Sequence, residues 1–317
     1  MRLKLRVVCD ETQDFGSLMI HHPSQHRVRR NDAPRLRVGA VQYLNTRPLV
    51  HGLAAAGVDV RYDLPSRLAD QLASGLLDVA LIPSIEVFRG GHCVVGNACI
   101  GCHGPVMSVK LFFRKAPGKI STLAVDEGSR TSAALARILL AERHGVMPAV
   151  ETLPIGSGLS DTTADAVLLI GDRAIGSSGS TDRAAGCFQV IWDLGDEWCR
   201  WTGLPFVFAV WAARAGVDTG LLEPLLARAR DSGIANLAAI AAAEAGAHGL
   251  TVPQCLSYLR DNLHYQLEAR GREALALFRR HAAGLNLAPA EGQPAPGVGQ
   301  AARSVRIAAT GHERSDA

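Results

Sequence analysis

The chain has 317 residues, 48% of them apolar and 20% charged, with 33 Lys and Arg against 30 Asp and Glu for a formal net charge of +3. This is the composition of an ordinary globular protein, and its length exceeds what one compact core usually holds, so two lobes are expected. The small charge is spread along the chain and leaves no nucleic-acid footprint, and no stretch approaches the roughly 20 apolar residues that a membrane helix needs.

Residues 1–35 mix charges, His, Pro and Gln without a sustained period and read as a disordered extension. Asp10, Glu11 and Asp14 stand where a secretory signal would carry its apolar segment, so the expected location is cytoplasmic. Strand and helix then alternate. Leu36–Val41 is a short apolar strand, and Thr46–Ala56 is a helix with Asn45 or Thr46 as N-cap and Pro48 in its first turn. Val58–Tyr62 alternates as a strand. Pro65–Leu76 is amphipathic, with Leu68, Leu72 and Leu76 on one face, and Asp78–Pro83 is a strand of the buried type. This run implies a parallel sheet with right-handed crossovers.

Val106–Arg114 is a further strand, broken by Ala116-Pro117-Gly118. A second α/β unit follows, with strands at Ser121–Val125, Ala166–Ile170 and Val190–Leu194 and a helix at Thr131–Arg143. Leu204–Ala212 is apolar enough to carry the chain back to the first unit. Helices are expected at Leu221–Ala245, Val252–Ala269 and Arg272–Ala283, and residues 288–317 read as a disordered tail. One α/β unit interrupted by another is the plan of type II periplasmic-binding-protein folds, with a hinge and a central cleft. The first lobe is expected at 36–117 and 206–287, and the second at 118–205.

The seven cysteines are an odd number without framework spacing and read as free thiols. Cys99 and Cys102 form a CxxC followed by His103. No second pair completes a zinc site, so the segment reads as a tight turn and no metal site is expected.

Seven segments carry a family resemblance. They are Val38–Leu49 with Tyr43-Leu44-Asn45, Asp78–Glu86, Gly104–Val109, Asp126–Ser132, Ile170–Ala174, Asp193–Trp198 and Trp201–Ala209. In that order they resemble the chorismate dehydratases of the futalosine route to menaquinone, over about Leu36 to Leu287. The resemblance implies that the chain dehydrates chorismate, a small dianionic substrate, to 3-[(1-carboxyvinyl)oxy]benzoate. It also implies that no cofactor is needed. In keeping with that, the sequence has no GxGxxG after a strand, no Walker loop and no HExxH.

For such a dianion, helix N-termini and neutral donors make physical sense. Strand-to-helix turns fall at Asn45-Thr46, Pro83-Ser84 and 128–132. The expected substrate-binding residues are Arg47, Ser84, Ser108, Ser129, Arg130, Thr131, Ser132 and Asp172, with Asn45 and Glu86 as the catalytic candidates. Each also has an ordinary reading: Asn, Ser and Thr cap helices, Arg is solvated, and Glu86 and Asp172 pair or cap locally. No His–Asp or paired-carboxylate constellation stands out as a base. This leaves polarisation of the substrate, with its own enolpyruvyl carboxylate taking the proton, as the expected mechanism. The competing readings are the naphthoate-forming enzyme of the same route, a solute-binding protein, and the effector domain of a transcription factor.

Overall fold

The computed structural model describes residues 36–176 and 188–290. The N-terminal extension and the tail beyond Ala290 lie outside the described residues. Leu287 and Ala288, at the start of the expected tail, are packed on the body.

Two sheets organise the chain. The first is built from β1 (Val38–Val41), β2 (Val60–Asp63), β3 (Val79–Pro83), β4 (Cys93–Cys102), β10 (Phe206–Ala213) and β11 (His264–Gln266), in the order β11-β4-β10-β3-β1-β2. The second holds β5 (Val109–Phe113), β6 (Thr122–Asp126), β7 (Ala149–Leu153), β8 (Ala166–Ile170) and β9 (Val190–Asp193), in the order β7-β6-β8-β5-β9. The expected parallel arrangement holds for β2, β1 and β3, and for β7, β6 and β8. In each sheet the next strand inward is antiparallel: β10 against β3, and β5 against β8. These are the two strands by which the chain enters a sheet from the other lobe, so they arrive running the opposite way.

The expected lobe boundary at residue 117 is corrected by this topology. Strand β5 pairs with β8 and β9, which places it in the second sheet. The chain leaves the first sheet after Cys102, through 103–108. It returns through 203–205, once α5 (Leu194–Thr202) is complete. Strand β5 is buried on both faces apart from Lys110, and such a run suits the interior of either sheet.

Several helices differ from expectation. The first is a 3-10 segment, Leu44–Val50, with Pro48 inside it. The expected Leu221–Ala245 helix is two, α6 (Leu222–Ala235) and α7 (Leu237–Glu244), joined at Asn236. The expected Val252–Ala269 helix stops early. Its start is as read, α8 (Val252–Ser257) capped by Thr251, but a π-helical turn follows at Tyr258–Asn262 and the chain then pairs with the edge of β4 as β11. Helix α9 (Ala269–Gly284) closes the described chain. The strands β4, β7 and β11 have no counterpart in the sequence reading.

Helices α1 (Pro65–Ala73), α2 (Ser84–Gly90), α3 (Arg130–His144) and α4 (Asp172–Gly176) each follow a strand closely. The main apolar cluster includes residues of both lobes, among them Leu81, Trp211 and Phe278 of the first and Leu111, Leu135 and Leu139 of the second.

Candidate active site

Between the two sheets lies a cleft of about 510 Å³, counting the part open to solvent. This falls within the usual range for small-molecule sites. Its walls come from strand ends and the turns after them: Val41, Tyr43 and Asn45 after β1, Pro83 at the end of β3, and 128–132 and Gly171 after β6 and β8. Ile100 of β4, Val106 of the first crossover, Val109 of β5 and Phe208 and Ala209 of β10 supply apolar surface. The cleft therefore sits where ligands bind in α/β sheets, outside the carboxyl ends of the parallel strands.

Six of the ten singled-out residues line this cleft: Asn45, Ser108, Ser129, Arg130, Thr131 and Ser132. Asn45 is 8% exposed and lies inside the 3-10 segment. The N-cap there is Tyr43, and no side chain makes a cap bond, so the capping role expected for Asn45 or Thr46 is corrected. Pro48 inside the segment and the close packing of α6 explain the tighter helix. A Cβ on Gly233 of α6 would lie 2.0 Å from the Pro48 carbonyl oxygen, so only glycine permits that approach. The Asn45 Oδ1 accepts a hydrogen bond from the Thr46 hydroxyl at 3.3 Å.

Helix α3 points its N-terminus at the cleft. Its N-cap Ser129 makes no side-chain cap bond, and the Ser129 hydroxyl is buried without a partner. The positive end of a 15-residue helix, with Ser129, Thr131 and Ser132 around it, is suited to an anion. The Thr131 Oγ1 accepts from the Ile85 N–H at 3.2 Å, joining the two lobes behind the cleft wall. Arg130 contributes the positive charge and also reaches out of the site. One of its nitrogens lies 2.9 and 2.8 Å from the two Asp70 carboxylate oxygens, and another is 3.5 Å from Glu86.

Ser108 is 1% exposed and stands where the first crossover enters β5. Its N–H closes a tight turn onto the Val106 carbonyl at 2.7 Å, with Met107 between them at a φ of 61°. A left-handed methionine is strained, and the surroundings hold it there. The Asp193 carboxylate accepts from the N–H groups of Val106 and Met107 at 2.9 and 2.6 Å, and from those of Gly195 and Asp196 at the start of α5. Burial pushes the Asp193 pKa up, and these four donors pull it back.

The other four singled-out residues do not line the cleft. The Ser84 hydroxyl donates to the Val207 carbonyl at 2.8 Å. Glu86 pairs with Arg89 at 2.9 Å and faces Arg130 at 3.5 Å, which is the local pairing the sequence also allowed for it. Arg47 pairs with Glu244 at 3.1 Å. Asp172 accepts from the Leu44 N–H at 3.3 Å and lies 3.0 Å from His248 Nδ1, tying the loop after β1 to the second lobe.

The sequence reading missed Tyr43 as a site residue. Its ring lies against Gly171, where an added Cβ would stand 3.0 Å from ring atoms and where φ is 65°. Its hydroxyl approaches Gly128. Burial, then the nearby Asp126 carboxylate, push the phenol pKa well up, so it stays protonated as a donor. Asp126 itself is fully buried and paired with Arg173, and burial raises its pKa against that pairing. The signal was present in the sequence, since Tyr43 is the first residue of the quoted Tyr43-Leu44-Asn45. The CxxC pair does not converge. Cys99 and Cys102 are three apart on β4 and so face opposite sides of the sheet. Among the described residues no group of three or more His, Cys, Asp or Glu could hold a metal ion.

A family profile described as menaquinone biosynthesis matches residues 36–284. The chain belongs to that family. It is 34% identical over 266 residues to a chorismate dehydratase of Thermus thermophilus, a match covering 80% of this chain and 96% of the relative. Among solved structures it is similar to a protein of Archaeoglobus fulgidus, at a TM-score of 0.61 and 16% identity over 80% of this chain and 98% of that one. It is also similar to the periplasmic aliphatic sulphonate binding protein SsuA of Escherichia coli, at a TM-score of 0.54 and 14% identity over 81% of this chain and 89% of that one. At such identities the likeness establishes the fold, which is that of the periplasmic binding proteins, as the sequence reading expected. No described helix is long and apolar enough to cross a membrane.

Proposed function

We propose that this member of the family is a chorismate dehydratase, a cytoplasmic hydro-lyase that converts chorismate to 3-[(1-carboxyvinyl)oxy]benzoate and water. The observation that carries the reading is the cleft itself. It has apolar walls for a ring, and its polar lining consists of neutral donors, one arginine and the open start of α3. That set suits a ligand with two carboxylates and a hydroxyl.

The chemistry follows from what lines the cleft. Among the described residues its titratable side chains are Arg130 and Tyr43, with no carboxylate or histidine in the lining to act as base. The proton on C3 is vinylogously acidic through the ring carboxylate. Donors at the start of α3 and Arg130 would bind that carboxylate and stabilise the dienolate charge as it develops. The substrate's enolpyruvyl carboxylate takes the C3 proton, with Asn45 and Ser108 holding it in place. Loss of the C4 hydroxyl as water, carrying a proton, then leaves the aromatic ring. Binding thus supplies orientation and charge stabilisation, and the substrate supplies the base.

The test is to incubate purified protein with chorismate in EDTA and follow the aromatic product by ultraviolet absorbance. Turnover without added metal, nucleotide or flavin is the expected result. Absence of turnover, or turnover of a cyclic dehypoxanthinyl futalosine instead, overturns the reading.

A further inference from the structure

Tyr43 lines the cleft but has no part in the chemistry above. It belongs to the first lobe, in the turn after β1, yet its side chain reaches across to the second. The face of the ring lies on Gly171 after β8, where an added Cβ would stand 3.0 Å from three ring carbons. The phenol oxygen lies beside Gly128 after β6, 3.4 Å from where a Cβ would be. Gly128 immediately precedes Ser129, the N-cap of α3. Two glycines of the second lobe thus let a tyrosine of the first lay its hydroxyl at the open start of α3.

Two hydroxyls meet at this point with nothing in the described chain to bind. Ser129 is 4% exposed, makes no cap bond, and has its oxygen buried without a partner. The Tyr43 hydroxyl makes no hydrogen bond among the described residues either. The carboxylate beside them, that of Asp126, is already met. It accepts from the Gly128 N–H at 3.0 Å and is paired with Arg173. The first N–H groups of α3 are open as at any helix start, and Arg130 adds a positive charge on the cleft wall. Donors from both lobes therefore converge where the chain supplies no free acceptor, which is the requirement of a carboxylate ligand.

We propose that the Tyr43 hydroxyl is a ligand-binding donor: from the first lobe it completes the carboxylate site that the second lobe opens at the start of α3, beside Ser129 and Arg130. A carboxylate held there touches both lobes at once, and the site is whole only while the Tyr43 ring lies on Gly171. The phenol is a neutral donor, so it binds the anion without drawing in a counter-charge of its own. That the carboxylate is the ring carboxylate of chorismate rests on the function proposed above.

Tyr43→Phe keeps the ring on Gly171 and removes only the oxygen. A side chain that merely wedged the lobes together would leave that variant with wild-type binding and turnover. The expected outcome is a melting temperature little changed and a fall of about tenfold or more in kcat/KM for chorismate, the scale of one hydrogen bond to a charged group. Benzoate titrated by calorimetry gives a readout independent of turnover, and several-fold weaker binding is expected in Tyr43→Phe and in Ser129→Ala alike. If wild type leaves chorismate untouched but both benzoate losses persist, the proposed reaction falls and the two-lobed carboxylate site stands. If Ser129→Ala weakens benzoate and Tyr43→Phe does not, the site belongs to the second lobe alone and the proposal is overturned. Wild-type kcat/KM in Tyr43→Phe, or no benzoate binding by wild type, overturns it as well.

Discussion

At the scale of single residues, the structure separates two readings of Asn45 that the sequence left open. As a cap, its value would have been to the stability of the first helix. It makes no cap bond and stands in the cleft, 8% exposed, in a segment held tight by α6. Asn45→Ser is therefore expected to lower turnover by about a hundredfold, the scale of losing one oriented catalytic donor. The melting temperature should barely move. Near-normal turnover in that variant would remove Asn45 from the site. Neutral donors at strand-to-helix turns were legible beforehand because their type and position both follow from sequence. What could not be read was which side of a turn each side chain occupies. Ser84 and Thr131 both follow strands, yet one is spent on the Val207 carbonyl and the other lines the cleft. Tyr43 went unnoticed as a site residue because a tyrosine after a buried strand also suits a core. Its role depends on glycines 85 and 128 residues further on.

At the scale of elements, apolar strands and the amphipathic helix α1 were readable, since the period of α1 fixes one buried face. Two of the missed strands share one physical origin. Strands β7 and β11 are short edge strands, and β11 exists only because β4 offers it an unpaired edge, a tertiary fact no local window contains. The start of the first sheet is held by a cluster of the same non-local kind. Asp78, just before β3, takes hydrogen bonds from the Arg37 side chain at 2.9 and 2.7 Å and its backbone at 2.9 Å, and from Arg214 at 3.0 Å beyond β10. The Arg37 guanidinium above all holds the Asp78 carboxyl well below the usual range. A depressed carboxyl contributes stability that is complete above the unfolded value of about 4 and is lost as pH falls below it through the folded value. Comparing melting temperatures of wild type and Asp78→Asn across pH should show the widest gap near neutrality and a narrowing gap below about pH 4. A gap that stays constant to pH 3 would refute this account.

At the scale of the whole molecule, the lobes share more than their two crossover segments. The main apolar cluster crosses from one sheet to the other, and α3 of the second lobe lies against α9 of the first, with His281 2.9 Å from Glu142 between them. At the cleft rim Arg130 spans to Asp70 and Glu86. The Asp70 side chain is 65% exposed, and such a pair adds little stability. If Arg130 serves the ligand, Arg130→Ala should lower kcat/KM by about tenfold or more, while Asp70→Ala, which keeps the guanidinium, should remain near wild type in both kcat/KM and melting temperature. Equal losses in the two variants would instead assign Arg130 to holding the rim. The position of β10 bears on how the protein comes into being. β3 and β4 are not neighbours, and the place between them is filled only by Phe206–Ala213. Every strand of the second sheet, by contrast, is in the stretch from Val109 to Asp193. As the polypeptide emerges from the ribosome, the inserted lobe has all its strands while the enclosing one still has a gap at its centre. The lobe begun first is finished last, and a translation pause shortly before Phe206 would leave the facing edges of β3 and β4 open to any other strand in reach.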